Sequence, residues 1–230
     1  MTPDAPPPSA GQDNSQLWNR LYESGAYLWY PYEVAVRVVR RHLAADGFPG
    51  TILDHGCGSG NHLEFFARLG LRSVGTEVAP NAVEIVRTRF RGAMLPCPPI
   101  HLVDLARPLA PQLPAFDHVF VWGSVHYNRR ARVLEDIAAL AGRLPKGGAF
   151  ILSLPNRNDV AYSQSEALAD GSRRFTSDIS GQRGAVVTIP ESEADLIGWC
   201  RGIEVRDCGT FGWTIGGRRS ELHFLYGVKA

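Results

Sequence analysis

The residues that could do chemistry concentrate in one run, Asp54–His55–Gly56–Cys57–Gly58–Ser59–Gly60, behind the short apolar stretch Thr51–Ile52–Leu53. Glycines at alternate positions let the backbone turn sharply and approach a ligand closely. A helix starting after them offers free N–H groups and a positive dipole end at the same spot. In an open α/β sheet, ligands sit beyond the carboxyl ends of the strands. The run is therefore a cradle for a nucleotide-sized ligand. The dinucleotide pattern G-x-G-x-x-G would put its third glycine at position 61. That position is Asn61, and the third glycine has moved up to Gly60. Two carboxylates extend the cradle. Glu77 closes the next strand, where a carboxylate can accept both hydroxyls of a ribose. Asp104 closes the third strand and points toward the same rim.

Further groups lie around this run. His126 and Tyr127 follow the fourth strand by a few residues and are the nearest candidates for proton transfer, since an ordinary imidazole titrates near neutral pH. His126 is equally readable as a satisfied polar residue at the start of a loop. Trp18, Tyr22, Tyr27, Trp29, Tyr30 and Tyr32 crowd the chain ahead of the first strand. Tyr22, Trp29 and Tyr30 are expected as walls over the bound ligands, alongside a packing role for the cluster. His42, His62, His101, His118 and His223 are scattered and read as structural or surface residues, and the side chain of His55 is expected to point away from the ligand. Cys57, Cys97, Cys200 and Cys208 lack zinc-ligand spacing, so no metal is expected.

These residues need elements to hold them. Residues 1–14, with Pro3, Pro6, Pro7, Pro8 and Gly11, predict a disordered tail. Residues 15–230 predict one domain, with 15–45 as an N-terminal aromatic and helical lid. Glu33 to Leu43 carries a helical period. Strands are expected at Thr51–Leu53, Arg72–Glu77, Ile100–Val103, Phe116–Trp122 and Ala149–Leu154. Helices between them span His62–Leu69, Pro80 to about Arg91 and Arg130–Leu144, with Pro80 suited to a first turn. Such alternation predicts a doubly wound, mostly parallel α/β sheet with helices on both faces. Residues 156–190 contain no clear βα unit and are read as a possible cap over the site. Glu191–Arg201 reads as a helix. Ile203–Thr210 and Ser220–Val228 read as two final antiparallel strands, separated by the glycine-rich stretch Gly212–Arg219.

The chain has 230 residues, 44% hydrophobic and 20% charged, with a formal net charge of +1. That is an ordinary globular composition. No block of like charge marks a nucleic-acid footprint. The N-terminus resembles no secretory signal, and no apolar run reaches bilayer length. The expectation is a cytoplasmic protein, monomer or homodimer, with no nucleic-acid or membrane partner.

Taken in order, Asp54–Gly60, Val74–Gly75–Thr76–Glu77, Asp104–Leu105, Phe116–Trp122 and Lys146–Gly147–Gly148 resemble the successive motifs of class I S-adenosylmethionine-dependent methyltransferases. The resemblance covers roughly residues 50 to 155. It implies a seven-stranded sheet ending in an antiparallel hairpin, with S-adenosylmethionine as cofactor. It also implies that Asp54, Gly56, Cys57, Gly58 and Gly60 hold the methionine part, that Glu77 binds the ribose, and that Val78 packs on the adenine. Asp104 would bond the adenine amine, with Leu105 beside it. Trp122 and Gly123 would stand where sulfonium and acceptor meet. The implied reaction is in-line attack on the sulfonium methyl, in which the protein mainly aligns the partners. Trp122–Gly123–Ser124–Val125 stands where enzymes acting on base amines carry an Asn/Asp/Ser-Pro-Pro-Tyr/Phe box. A small-molecule acceptor is therefore expected, oxygen before nitrogen. The alternatives are a nicotinamide-dependent oxidoreductase, disfavoured by Asn61 and Asp104, and a non-catalytic cofactor-binding protein on the same fold.

Overall fold

The computed structural model describes residues 14–43 and 49–230, so the expected tail lies outside the described residues up to position 13. Asn14, the last position assigned to that tail, is buried, and its side-chain amide donates to the carbonyls of Tyr127 and Val186.

Two helices come first, α1 (Ser15–Glu23) and α2 (Glu33–His42). The layered unit follows as β1 (Thr51–His55), α3 (Asn61–Arg68), β2 (Arg72–Glu77), α4 (Pro80–Gly92) and β3 (Ile100–Leu102). It continues through β4 (His118–Trp122), α5 (Arg130–Arg143) and β5 (Ala149–Pro155). One seven-stranded sheet runs β3-β2-β1-β4-β5, then β10 and β9, formed by Arg218–Lys229 and Ile203–Ile215. The first five strands are parallel, and β10 lies antiparallel between β5 and β9. This is the expected architecture.

Every residue of β4 and β5 is buried, as strands covered on both faces must be. One core, with Val119, Val121, Ile137, Leu140 and Trp199, lies on the α5 face. The other, with Val39, Leu63, Phe66, Phe90 and Phe120, lies under α2, α3 and α4. The strand order reverses between β1 and β4. A crevice opens there at the carboxyl ends of the strands.

Two departures bear on function. The glycine-rich stretch Gly212–Arg219 does not separate the last two strands but belongs to them. Trp213 to Ile215 pair with Arg218 to Ser220 around Gly216–Gly217, which have φ of 58° and 76°. Two consecutive positive φ values make the tight turn that suits strand twist, and glycine reaches them without a Cβ clash. Residues 156–190 also hold regular structure: α6 (Val160–Ser163) and a small antiparallel sheet of β6 (Ser165–Ala167), β7 (Arg173–Phe175) and β8 (Val186–Val187). Strands of two or three residues are too short to show a period in sequence. Phe175 and Val187 of these strands, with Ile189 just after them, pack with Leu17 and Leu21 of α1 in a third cluster. The helix α7 (Glu193–Trp199) then leads into β9.

Candidate functional site

A cavity of about 600 Å³ opens at the switch between β1 and β4. Its floor is the loop Gly56–Ser59, with φ of 70° at Gly56 and 52° at Gly58. A Cβ on Gly58 would stand 2.6 Å from the Tyr22 hydroxyl. The loop can be this close to α1 only because it is glycine there.

Glu77 ties the floor together. One carboxylate oxygen accepts the Gly58 N–H at 2.8 Å, and the other accepts the N–H groups of Val78 and Ala79 at 2.7 and 3.0 Å. The side chain thus bridges the glycine loop and the start of α4. Burial raises its carboxyl above the usual range, and the three N–H donors hold it back. Asp54 is buried behind the loop, and its Oδ2 has no partner among the described residues. Burial, and then the Glu77 charge, raise its carboxyl well above the usual range. Burial likewise pushes the Cys57 thiol up, which makes it a packing group rather than a nucleophile. These features fit S-adenosylmethionine: an unpaired buried acceptor, a floor too close for side chains, and a strand-end carboxylate.

On the far wall Val103 and Leu105 line the cavity, as does Val78. Arg132 closes this side. It grips Asp136 through Nε at 2.8 and 2.9 Å and donates from Nη1 to the Leu105 carbonyl at 2.7 Å. At the end of β4 stand Trp122 and then His126 and Tyr127. His126 is buried, its Nδ1 has no partner, and burial takes its value down to about 3. Tyr127 donates to Gln182 at 3.0 Å and meets the Trp18 ring edge-on at 4.5 Å. The roof is therefore α1 and the 156–190 segment together.

The structure brings Gly56, Cys57, Gly58, Glu77, Val78, Leu105, Trp122, His126, Tyr127 and Tyr22 to one cavity. Five expected residues are not on its wall, the first being Asp54, which lies buried behind the loop. Asp104 is exposed, and its Oδ1 accepts the Ala106 N–H at 2.9 Å; the strand ends too early to carry it inward. Gly60 faces Val86 on α4. Trp29 and Tyr30 are 59% and 83% exposed. Their carbonyls are bound by Arg89 and Asn61, which turns their rings to solvent. Tyr27, Leu28 and Tyr32 line the cavity from that loop instead.

Two histidines read as peripheral line it as well. His55 lines the cavity, and its Nδ1 meets Thr76 Oγ1 at 2.9 Å, because its strand partner is Thr76. His62 sits in the first turn of α3, its Nε2 unpartnered, its value lowered to about 3 by burial. Arg132 was legible only as an i,i+4 partner of Asp136.

Residues 52–148 match the family model described as a methyltransferase domain. A tRNA U34 carboxymethyltransferase of Colwellia psychrerythraea is 34% identical over 101 residues, 44% of this chain and 30% of that protein. The chain thus matches less than a third of the length of such curated relatives. A solved S-adenosylmethionine-dependent methyltransferase from Anabaena variabilis superposes with a TM-score of 0.70 at 15% identity, covering 98% of each chain. Magnesium protoporphyrin IX methyltransferase from Synechocystis superposes at 0.65 with 17% identity, over 97% of this chain and 100% of that one. Residues 52–148 thus match a methyltransferase domain, and the chain as a whole has the fold of the S-adenosylmethionine-dependent methyltransferases on which it superposes. The expectation of a small-molecule acceptor and no nucleic acid is overturned by the curated relatives, which carry a tRNA uridine in their name. That expectation rested on the missing base-amine box at Trp122–Gly123–Ser124–Val125, which speaks only to amine acceptors, and on net charge, an average over the chain that hides how arginines are grouped locally. No described helix is long and apolar enough to cross a membrane.

Proposed function

We propose that this chain transfers a methyl group from S-adenosylmethionine to a uridine of an RNA, with tRNA as the acceptor class and the cytoplasm as its place of action. The observation that supports the acceptor is the name tRNA U34 carboxymethyltransferase, shared by relatives 34% and 38% identical over 101 and 106 residues; methyl as the transferred group follows from the methyltransferase domain over residues 52–148. The cavity of about 600 Å³ suits donor plus one nucleotide-sized group.

When bound, S-adenosylmethionine supplies a sulfonium methyl already activated for displacement. The chain's own part is alignment. Asp54 and the loop Gly56–Ser59 hold the amino-acid end. Glu77 holds the ribose and keeps the loop and α4 in register. Val78, Val103 and Leu105 flank the base. Trp122 and His126 face the acceptor. A buried imidazole of value about 3 is a weak base. His126 therefore accepts a hydrogen bond from the acceptor group and positions it. Tyr127 holds the roof segment through Gln182. Helix α1 and residues 156–190 act together as a lid that excludes water from the transfer.

The test is label transfer from methyl-tritiated S-adenosylmethionine to bulk tRNA, followed by nucleoside separation. Label in a modified uridine is expected. Steady formation of S-adenosylhomocysteine with an added non-RNA acceptor, and none with tRNA, would sink the proposal.

A further inference from the structure

We infer that the hairpin tip of β9–β10 and the loop Leu28–Tyr30 form a docking rim for unpaired nucleotides of the RNA acceptor. The inference rests on the RNA reading above. A cavity of about 600 Å³ holds the donor and one extruded nucleotide. Flanking nucleotides must then lie outside it, and the rim is what they would meet.

The hairpin overhangs the site. β5 pairs with β10 only from Leu222 to Val228, while β9 and β10 stay paired out to Ile215 and Arg218. Residues 212–221 thus form a two-stranded arm beyond Pro155, at the carboxyl edge where the cavity opens. Phe211, Trp213 and Ile215 alternate onto one face, opposite Leu222, Ser220 and Arg218. Leu222 and Ser220 line the cavity, and Phe211 stacks on Trp122 at 5.5 Å. The face is therefore a continuation of the cavity wall into solvent. Along it, Trp213 stacks on Tyr32 at 5.4 Å, and Ile215 is 72% exposed.

Tyr32 links the arm to the second half of the rim. There Leu28, Trp29 and Tyr30 are all exposed. Their backbone is fixed: Ser59 Oγ and Arg89 donate to the Leu28 carbonyl, Arg89 to that of Trp29, and Asn61 to that of Tyr30. Large rings held in water on a tied backbone mark an interaction surface rather than a loose segment. The Arg89 guanidinium also lies 5.0 Å from the Trp29 ring.

The chemistry of the rim selects the occupant. Arg218 and Arg219 are exposed at the arm tip. Arg219 is bound to Glu221, whose carboxylate is also held by Asn156 and Asn158, and Arg218 has no ion pair among the described residues. Aromatic faces next to guanidinium groups suit bases that stack and phosphates that pair. A paired duplex hides its base faces and should bind poorly.

Anisotropy of a labelled RNA stem-loop with a seven-nucleotide loop tests this on the full chain. Tyr30→Ala and Trp213→Ala should each weaken binding about tenfold. Arg218→Glu should weaken it and flatten the salt dependence by about one phosphate contact. Affinity for S-adenosylhomocysteine, read by calorimetry, should stay within about twofold in all three, and a fully paired RNA should compete poorly. Variants that bind the stem-loop as the unaltered chain does would overturn the rim and leave the RNA reading standing. No RNA binding by the unaltered chain would overturn both. A dimer that Ile215→Ser converts to monomer with unchanged RNA affinity would assign the rim to a second copy of the chain and overturn the inference.

Discussion

Glu77 accepts N–H groups from two separate elements, and that makes it more than a ribose ligand. Glu77→Ala should weaken S-adenosylhomocysteine binding by roughly 1–3 kcal/mol, the range for a lost charged hydrogen bond. Calorimetry checks the affinity, and unchanged binding would remove Glu77 from the cofactor site. His126 gives a pH prediction. Its folded value of about 3 against an ordinary 6.5 means that the unfolded chain takes up a proton first on acidification. Its contribution to stability is whole above pH 6.5 and is lost as pH falls toward 3. Asp54 and Glu77, raised by burial, pull the other way, so the comparison must be between variants. His126→Phe should lose about 2 kcal/mol less than the unaltered chain between pH 6.5 and about 5. Denaturant melts at the two pH values measure this, and equal losses would mean that His126 is not buried. At this scale Glu77 was legible because a carboxylate at a strand end has few reasons to be there. Asp104 was misread because two residues past the strand its side chain turned back to its own loop.

Among the elements, the hairpin carries the sharpest test. Gly216 and Gly217 occupy positive φ, which costs a branched residue roughly 1–2 kcal/mol. Gly216→Val should lower the melting temperature, whereas Gly216→Asn, which tolerates that region, should leave it nearly unchanged. Equal behaviour of the two variants would show that the turn has another geometry. The glycines read from sequence as a connection because Gly212, Gly216 and Gly217 stand close together. The strands run through Gly212, which pairs with Glu221, and a Cβ there would collide with the Ser220 carbonyl. The parallel strands were legible for the opposite reason. Apolar runs bounded by glycine, proline and acidic residues leave few other readings.

For the whole molecule, the roof is a joint product of residues far apart in the chain. Leu17 and Leu21 of α1 share a core with Phe175, Val187 and Ile189. Phe175→Ala should destabilise this unit by about 3–5 kcal/mol. Limited proteolysis should then cut within 15–32 and 156–190 while the sheet stays protected, and S-adenosylhomocysteine should slow the cutting in the unaltered chain. Cleavage spread evenly over the chain would mean that roof and sheet unfold as one. The sequence by itself determined the layered fold, the glycine cradle and Glu77, because each depends on local backbone needs or on a period that neighbouring residues display. Only the tertiary structure decided which residues face the cavity. His55, His62 and Arg132 entered it, and Asp104, Trp29 and Tyr30 left it. Such directions follow from contacts across dozens of residues, as when Asn61 and Arg89 bind loop carbonyls and turn two aromatic rings to water.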